Sequence, residues 1–328
     1  MRAFEYVVAD SAAAARALAR EAGDARYYAG GTTLVDLMKS DVERPQRVID
    51  ISRLPLTAVE MRDGVVRIGA LARNSDVAYD EAVSTRFPAV AEALLSGASG
   101  QIRNAATIGG NLLQRTRCTY FRETRWRCNK REPGSGCDAL EGFNRGHAVL
   151  GTSEACIATY PGDLAVALTA LDAHVVIEGE AGARTIPIAE LYVLPGDQPQ
   201  RESSLAAGEL ITAVELRAEP WYERSRYMKL RDRASFEFAL VSVACAVRLD
   251  GTRIAEARLA LGGVGTVPWR AREAESALAG AAPNDDAYRR AADAALGGAR
   301  TRAHNAFKVE LAKRAIARAL RAVCGGAA

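Results

Sequence analysis

Four of the chain's six cysteines, Cys118, Cys128, Cys137 and Cys156, fall within 39 residues, and the segment that carries them begins at a glycine turn, Thr107-Ile108-Gly109-Gly110-Asn111. Glycine lets backbone N–H groups come close to a ligand, and thiolates are soft ligands for zinc or iron. A backbone cradle running straight into a thiol cluster suggests two cofactors side by side. Whatever fold the chain adopts has to present that loop-rich segment next to a ligand site.

The cysteines are separated by 9, 8 and 18 residues, so none of them forms the C-x-x-C of a zinc ribbon or a thioredoxin-like motif. His147 is the one histidine in the segment, too few for a Cys/His finger. Four thiolates in loop-like surroundings suit a [4Fe-4S] cluster or an all-cysteine zinc site, and unliganded buried thiols are the alternative. Pro133-Gly134-Ser135-Gly136 supplies backbone able to aim N–H groups at sulfur. Arg122, Arg125, Arg127, Lys130 and Arg131 would offset cluster charge, or form a solvated basic loop. Cys245, in an apolar run, and Cys324, near the C-terminus, read as ordinary thiols.

A second glycine turn, Ala29-Gly30-Gly31-Thr32-Thr33, lies between a short strand and a helix over Leu34–Lys39. A strand–turn–helix of this kind can hold a phosphate on the free N–H groups at the helix start. It also suits an ordinary turn. It is neither a Walker loop nor a dinucleotide fingerprint, because the lysine and the G-x-G-x-x-G spacing are missing. Two Gly-Gly turns, both with threonine, favour a paired site.

Around these turns the chain reads as strands at 3–8, 27–29 and 48–51 alternating with helices at 11–22 and 34–39, a small α/β subdomain. A hairpin turns at Asp63-Gly64, and helices follow at about 74–82, 88–95 and 164–171. Strands over 175–178 and 183–186 form a second hairpin, and 194–209 is a polar loop ahead of a strand at 210–216. Glu219-Pro220-Trp221 looks like a domain boundary. Beyond it, strands at 225–230, 240–249 and 254–262 precede helices at 269–278, 285–296 and 303–323, an antiparallel sheet with helices packed on it.

At 328 residues there is room for two domains, and 49% hydrophobic with 25% charged residues promises large folded cores. A formal charge of +3 offers no footprint for nucleic acid. No run of about 18 apolar residues marks a membrane span. The N-terminal residues lack a signal-peptide core, so cytoplasmic synthesis is expected, with periplasmic placement only if the chain is exported with a signal-bearing partner. In a reducing compartment thiols serve as metal ligands more often than as disulfides. Three histidines and no evident nucleophile–base pair leave no catalytic site on this chain.

The two glycine turns, the Tyr160-Pro161-Gly162-Asp163 turn and the run Tyr227-Met228-Lys229-Leu230-Arg231 resemble the flavin-binding subunit of the xanthine dehydrogenase (molybdenum hydroxylase) family over essentially the whole chain. Within it the chain looks most like the middle subunit of bacterial periplasmic-type aldehyde oxidoreductases. The resemblance implies an α+β protein: a two-subdomain FAD-binding fold of the vanillyl-alcohol-oxidase / PCMH type over 1–218 (subdomains about 1–55 and 56–218, with a cysteine-bearing insertion 113–156), then a C-terminal α+β domain over 219–328. It implies an FAD pyrophosphate between Ala29, Gly30, Gly31, Thr32, Thr33 and Leu34 on one side and Thr107, Ile108, Gly109, Gly110 and Asn111 on the other. Asp163 falls where the family has an acidic contact to the ribityl or ribose, Lys229 near the isoalloxazine edge, and Leu194 near the adenine. Gly162 departs from the serine common before that aspartate, which puts a hydroxyl contact in doubt.

The run Cys128 to Cys137 resembles the branch that carries an extra [4Fe-4S] cluster on the insertion, with Cys118, Cys128, Cys137 and Cys156 as ligands. By this resemblance the partners are a large molybdenum-cofactor subunit, where an aldehyde would be oxidised, and a small subunit with two [2Fe-2S] clusters. This chain would carry electrons through FAD to an external acceptor. The alternatives are the FAD subunit of a 4-hydroxybenzoyl-CoA reductase-like enzyme, a stand-alone flavin reductase of the same fold, and a zinc-stapled subunit with no redox role.

Overall fold

The structure, a computed structural model, describes residues 1–325. The first of its three sheets has parallel strands β1 (Glu5–Val8), β2 (Ala25–Tyr28) and β3 (Arg47–Asp50) in the order β1-β3-β2. Parallel neighbours need crossovers, which the helices Ala12–Ala22 and Leu34–Lys39 provide. Ser11 Oγ caps the first helix by accepting from the Ala14 N–H at 3.2 Å. The small α/β unit expected from the alternating pattern is present.

The second sheet is antiparallel and contains β4 (Val59–Arg62), β5 (Val65–Gly69), β6 (His174–Gly179), β7 (Gly182–Pro187) and β8 (Leu210–Arg217), ordered β4-β5-β8-β6-β7. Between β5 and β6 the chain leaves the sheet for the whole of 70–173, and that excursion carries the second glycine segment and the four clustered cysteines. The third sheet, ordered β12-β11-β10-β9, joins β9 (Arg226–Leu230), β10 (Val241–Asp250), β11 (Arg253–Gly262) and the two-residue β12 (Trp269–Arg270). Helices Arg272–Leu278, Asp285–Ala295 and Phe307–Cys324 cover one of its faces.

The other face of the third sheet is buried as well. Along β10, Val243, Cys245 and Val247 point into the core shared with the C-terminal helices, while Ala244 and Ala246 join the core of the second sheet. A strand buried on both faces reads as a near-continuous apolar run, as Val241–Val247 does, interrupted by the buried Ser242. The layer between the two sheets is the helix Asp163–Ala170, every residue of which is buried.

One ion pair fastens that layer. Lys229 Nζ on β9 lies 2.7 Å from Asp163 Oδ2 at the start of the buried helix, and it also donates to the Ser96 carbonyl at 3.1 Å. Tyr227 donates its hydroxyl proton to Asp163 Oδ1. Charges withdrawn from water cost several kcal/mol unless both are paired, so the partners are interdependent.

Local differences from the sequence reading have local causes. The stretch 74–82 divides into helices Asn74–Tyr79 and Glu81–Arg86, because Asp80 turns extended and its carboxylate caps the second helix at the Val83 N–H, 3.1 Å away. The glycine turn at 107–111 is itself a short helix, Ile108–Leu112, with Thr107 as its cap. Trp269-Arg270 pairs with Leu261 and Ala260 before the next helix begins, and the last helix starts at Phe307. Helices Gly100–Ala105 and Thr119–Arg122 are too short to show a periodicity.

Replacing Lys229 by methionine strands the Asp163 carboxylate in the core. We expect a loss of about 3–5 kcal/mol of unfolding free energy, read by urea denaturation. A variant as stable as the parent would show that the pair fastens nothing.

Candidate functional site: a cavity walled by two glycine segments

A cavity of about 600 Å³ opens where the first sheet meets the second. The loop after β2 forms one wall. Gly30 packs so tightly that a Cβ there would overlap the carbonyl oxygen of Ala105, and Gly31 has φ +69°, a left-handed conformation that disfavours side chains. Beyond it the helix Leu34–Lys39 begins with no side-chain cap. The N–H groups of Thr32, Thr33 and Leu34 find no acceptor among the described residues. Unpaired N–H groups at a helix start attract an anion.

Thr107, Gly109 and Gly110 form the facing wall. Here the donors are engaged within the protein: Gly109 N–H bonds the Ala70 carbonyl at 2.8 Å and Asn111 N–H the Thr107 carbonyl at 2.8 Å. Gly110 N–H has only a 3.4 Å cap from Thr107 Oγ1, the weakest of the three and the easiest for a ligand to replace. The symmetric two-sided grip expected from the sequence is therefore lopsided. The first segment supplies free donors, and the second supplies close approach.

Tyr160 and Tyr192 close one end, rings 4.8 Å apart and hydroxyls 3.1 Å apart, each donating to the Leu112 carbonyl. Burial pushes the Tyr192 hydroxyl well above its usual range, so it stays protonated and a donor. A chain of charges runs along the floor. Arg26 pairs with Glu43 at 3.0 Å, Arg115 bridges Glu43 and Glu202, and Lys130 pairs with Glu202 at 3.0 Å. The Arg115 and Lys130 cations hold the Glu202 carboxyl below its usual pKa against its own burial.

Of the residues singled out by sequence, Ala29, Gly30, Gly31, Thr32, Thr33, Leu34, Thr107, Gly109 and Gly110 line the cavity. Ile108 lies in the core. Asn111 accepts from Gln114 Nε2 at 3.0 Å and is not among the lining residues. Leu194 is exposed, while its neighbours Val193 and Pro195 form part of the wall. Asp163 and Lys229 are brought together, as each other's partner in the buried layer, and neither borders the cavity. Sequence reasoning overlooked the tyrosine pair, the Arg115–Glu202 chain and the segment 200–211. One signal was available for the last of these: a polar stretch of that length without secondary structure is usually functional.

The thiol segment folds against the same cavity. Cys118, Cys128, Cys137 and Cys156 all border a second, much smaller cavity, and Cys128 and Cys137 face each other across an isolated antiparallel bridge. Burial raises the thiol pKa of Cys118 to about 12 and of Cys156 to about 11, and that of Cys137 in the same direction. Backbone N–H groups oppose the shift: those of Phe121 and Tyr120 face Cys118, those of Ala139, Leu140 and Ile157 face Cys137, and that of Ala158 faces Cys156. His147 Nε2 lies 3.1 Å from Cys118 Sγ, and burial pulls the ring's pKa down to about 4.

None of the six cysteines is in a disulfide. Among the described residues no three His, Cys, Asp or Glu side chains converge to hold a single metal ion. Most of the basic residues are fasteners here. Arg131 donates to the Tyr120 and Phe121 carbonyls, and Arg122 pairs with Asp36. Lys130, Cys156 and Ala158 border both cavities, so the thiols and the larger site share a wall.

A roomy cavity with an anion-ready helix start, paired tyrosines and a polar floor suits a large phosphate-bearing cofactor. Residues 2–217 match the family described as the FAD binding domain in molybdopterin dehydrogenase, and residues 225–323 match the CO dehydrogenase flavoprotein C-terminal domain. The chain belongs to the FAD-binding subunits of the molybdenum hydroxylase family and is an oxidoreductase subunit. It is 48% identical over 322 residues, 98% of each chain, to the aldehyde oxidoreductase FAD-binding subunit PaoB of Escherichia coli strain K12. It is 28% identical to the carbon monoxide dehydrogenase medium chain of Hydrogenophaga pseudoflava, over 89% of this chain and 86% of that one. The solved carbon monoxide dehydrogenase of the same organism, lacking the Mo-pyranopterin moiety, superposes with a TM-score of 0.78 at 27% identity, covering 99% of this chain and 98% of that one.

The residues present fit FAD: orphaned N–H groups at Thr32–Leu34 suit the diphosphate, and Gly30 and Gly31 let the loop that carries them pack against Ala105 and Tyr28. A Gly30→Ala exchange drives the new methyl into Ala105. Purified protein is expected to lose most of its flavin, with binding weakened at least about tenfold, as a forced shift of about 1.4 kcal/mol would do. Flavin released by acid and read by absorbance checks this, and unchanged content would refute it.

Proposed function

We propose that this chain is the flavin- and iron–sulfur-carrying electron-transfer subunit of a molybdenum-dependent aldehyde oxidoreductase. The observation that carries the reading is the shared wall. Four thiols ring one small cavity, and one of them, Cys156, also borders the large cavity whose family binds FAD. Identity of 48% across 98% of a named aldehyde oxidoreductase subunit supports the substrate class.

FAD, when bound, takes up electrons from one-electron donors and passes them on in pairs. The protein holds and shields it. Thr32, Thr33 and Leu34 hold the diphosphate by N–H donation, Tyr160 and Tyr192 close one end, and the Arg115–Glu202–Lys130 chain keeps fixed charge along the floor. Cys118, Cys128, Cys137 and Cys156 are the ligands of a [4Fe-4S] cluster, which the N–H groups facing the sulfurs of Cys118, Cys137 and Cys156 suit.

The partners follow from the family: a large subunit with the molybdenum cofactor, where substrate is oxidised, and a small [2Fe-2S] subunit. Among the described residues no helix is long and apolar enough to cross a membrane.

Anaerobic purification of the chain with its partners, followed by iron and flavin analysis, tests the reading. Cys137→Ser is expected to lose the cluster iron and keep full flavin, because Cys137 borders only the small cavity. Cys156→Ser is expected to lose the iron and weaken flavin retention as well. Full cluster iron in Cys137→Ser would remove that thiol from the ligand set.

A further inference from the structure

His147, whose ring touches Cys118, is a buried polar side chain that the proposed function leaves unexplained. It is buried, and its ring has one hydrogen-bond partner among the described residues, Cys118 Sγ, 3.1 Å from Nε2. Its Nδ1 is shut off from water and has none. A histidine kept only for packing would be expected to satisfy both nitrogens, since a buried unpaired polar atom costs free energy. This one gives up Nδ1 to hold Nε2 on the sulfur.

The ring is held there through its backbone. His147 N–H donates to the Asn144 carbonyl at 3.0 Å. From the C-terminal helix, Lys308 Nζ donates to the carbonyls of His147 at 3.1 Å, Gly146 at 2.9 Å and Gly263 at 2.7 Å. Lys308 is fully buried, and its contacts with three carbonyls brace the 146–147 backbone against the third sheet.

We infer that His147 is a tuning residue that donates Nε2–H to the Cys118 thiolate and raises the reduction potential of the cluster, with Lys308 as the brace that sets its angle. The inference rests on the [4Fe-4S] reading above. The physical ground is that a donor on a ligand sulfur draws off negative charge. The reduced cluster, which carries one more electron, gains more from that than the oxidised one.

The test is a redox titration of the anaerobically purified complex, followed by electron paramagnetic resonance, with iron and flavin contents measured on the same samples. His147→Leu is expected to keep flavin and iron and to shift the cluster signal to a lower potential. His147→Gln, which places an amide N–H where Nε2 was, is expected to move back towards the parent value. A His147→Leu complex with full iron and the parent potential overturns the inference and leaves the cluster reading standing. If His147→Leu loses its iron, His147→Gln decides: retained iron with a near-parent potential supports the donor role, and equal loss in both contradicts it. Parent complex containing flavin but no cluster iron overturns the cluster reading and this inference together.

Discussion

Gly30 lies directly against the carbonyl of Ala105, and through that contact the loop after β2 meets the segment leading into Thr107. The larger cavity depends on this approach, because its two walls come from opposite sides of the contact. Elsewhere on the first wall the chain leaves N–H groups unsatisfied, at Thr32, Thr33 and Leu34. A folded protein tolerates such orphans where water or a ligand satisfies them. The same short segment thus builds the wall and creates the need for an anion.

The excursion between β5 and β6 connects the two cofactor regions. It leaves the second sheet at Gly69, forms the facing wall, folds the thiols into a compact knot and returns through the wholly buried helix Asp163–Ala170. Because the knot and the cavity share Lys130, Cys156 and Ala158, a disturbance in one reaches the other through three residues. Ligation by four thiols would itself contribute folding free energy, which suits a segment with little regular structure between Arg122 and Asp163. The buried Asp163–Lys229 pair then locks the returning helix to β9, and the C-terminal sheet borders the site through Thr266 and Val267 of its β11–β12 connection.

Much of this architecture was legible in the chain, and the reasons are physical. The alternation of short strands with helices over 3–51 marked the first sheet, whose first helix Ser11 caps. The largely apolar run of β10 marked a strand without saying that both of its faces are covered. Gly30-Gly31 and Gly109-Gly110 advertised turns and close backbone approach, and Gly31 alone of the four takes up a left-handed φ, +69°. What could not be read was pairing over long distances. Asp163 and Lys229 are 66 residues apart, and Arg115 and Glu202 87, and nothing local in the sequence distinguishes a partner in the core from a contact to a ligand. The same limit hid His147. A lone histidine among cysteines gives no sign of which nitrogen faces which sulfur until the backbone around Lys308 is in place.

The central claim is that a cofactor diphosphate rests on the free N–H groups of the first glycine segment, with the second segment close on its other side. A crystal structure of the flavin-loaded chain tests it directly. The account expects phosphate oxygens within about 3.2 Å of the N–H groups of Thr32, Thr33 or Leu34, facing Gly110. A diphosphate bound away from both glycine segments, with those N–H groups hydrogen-bonded only to water, would contradict it.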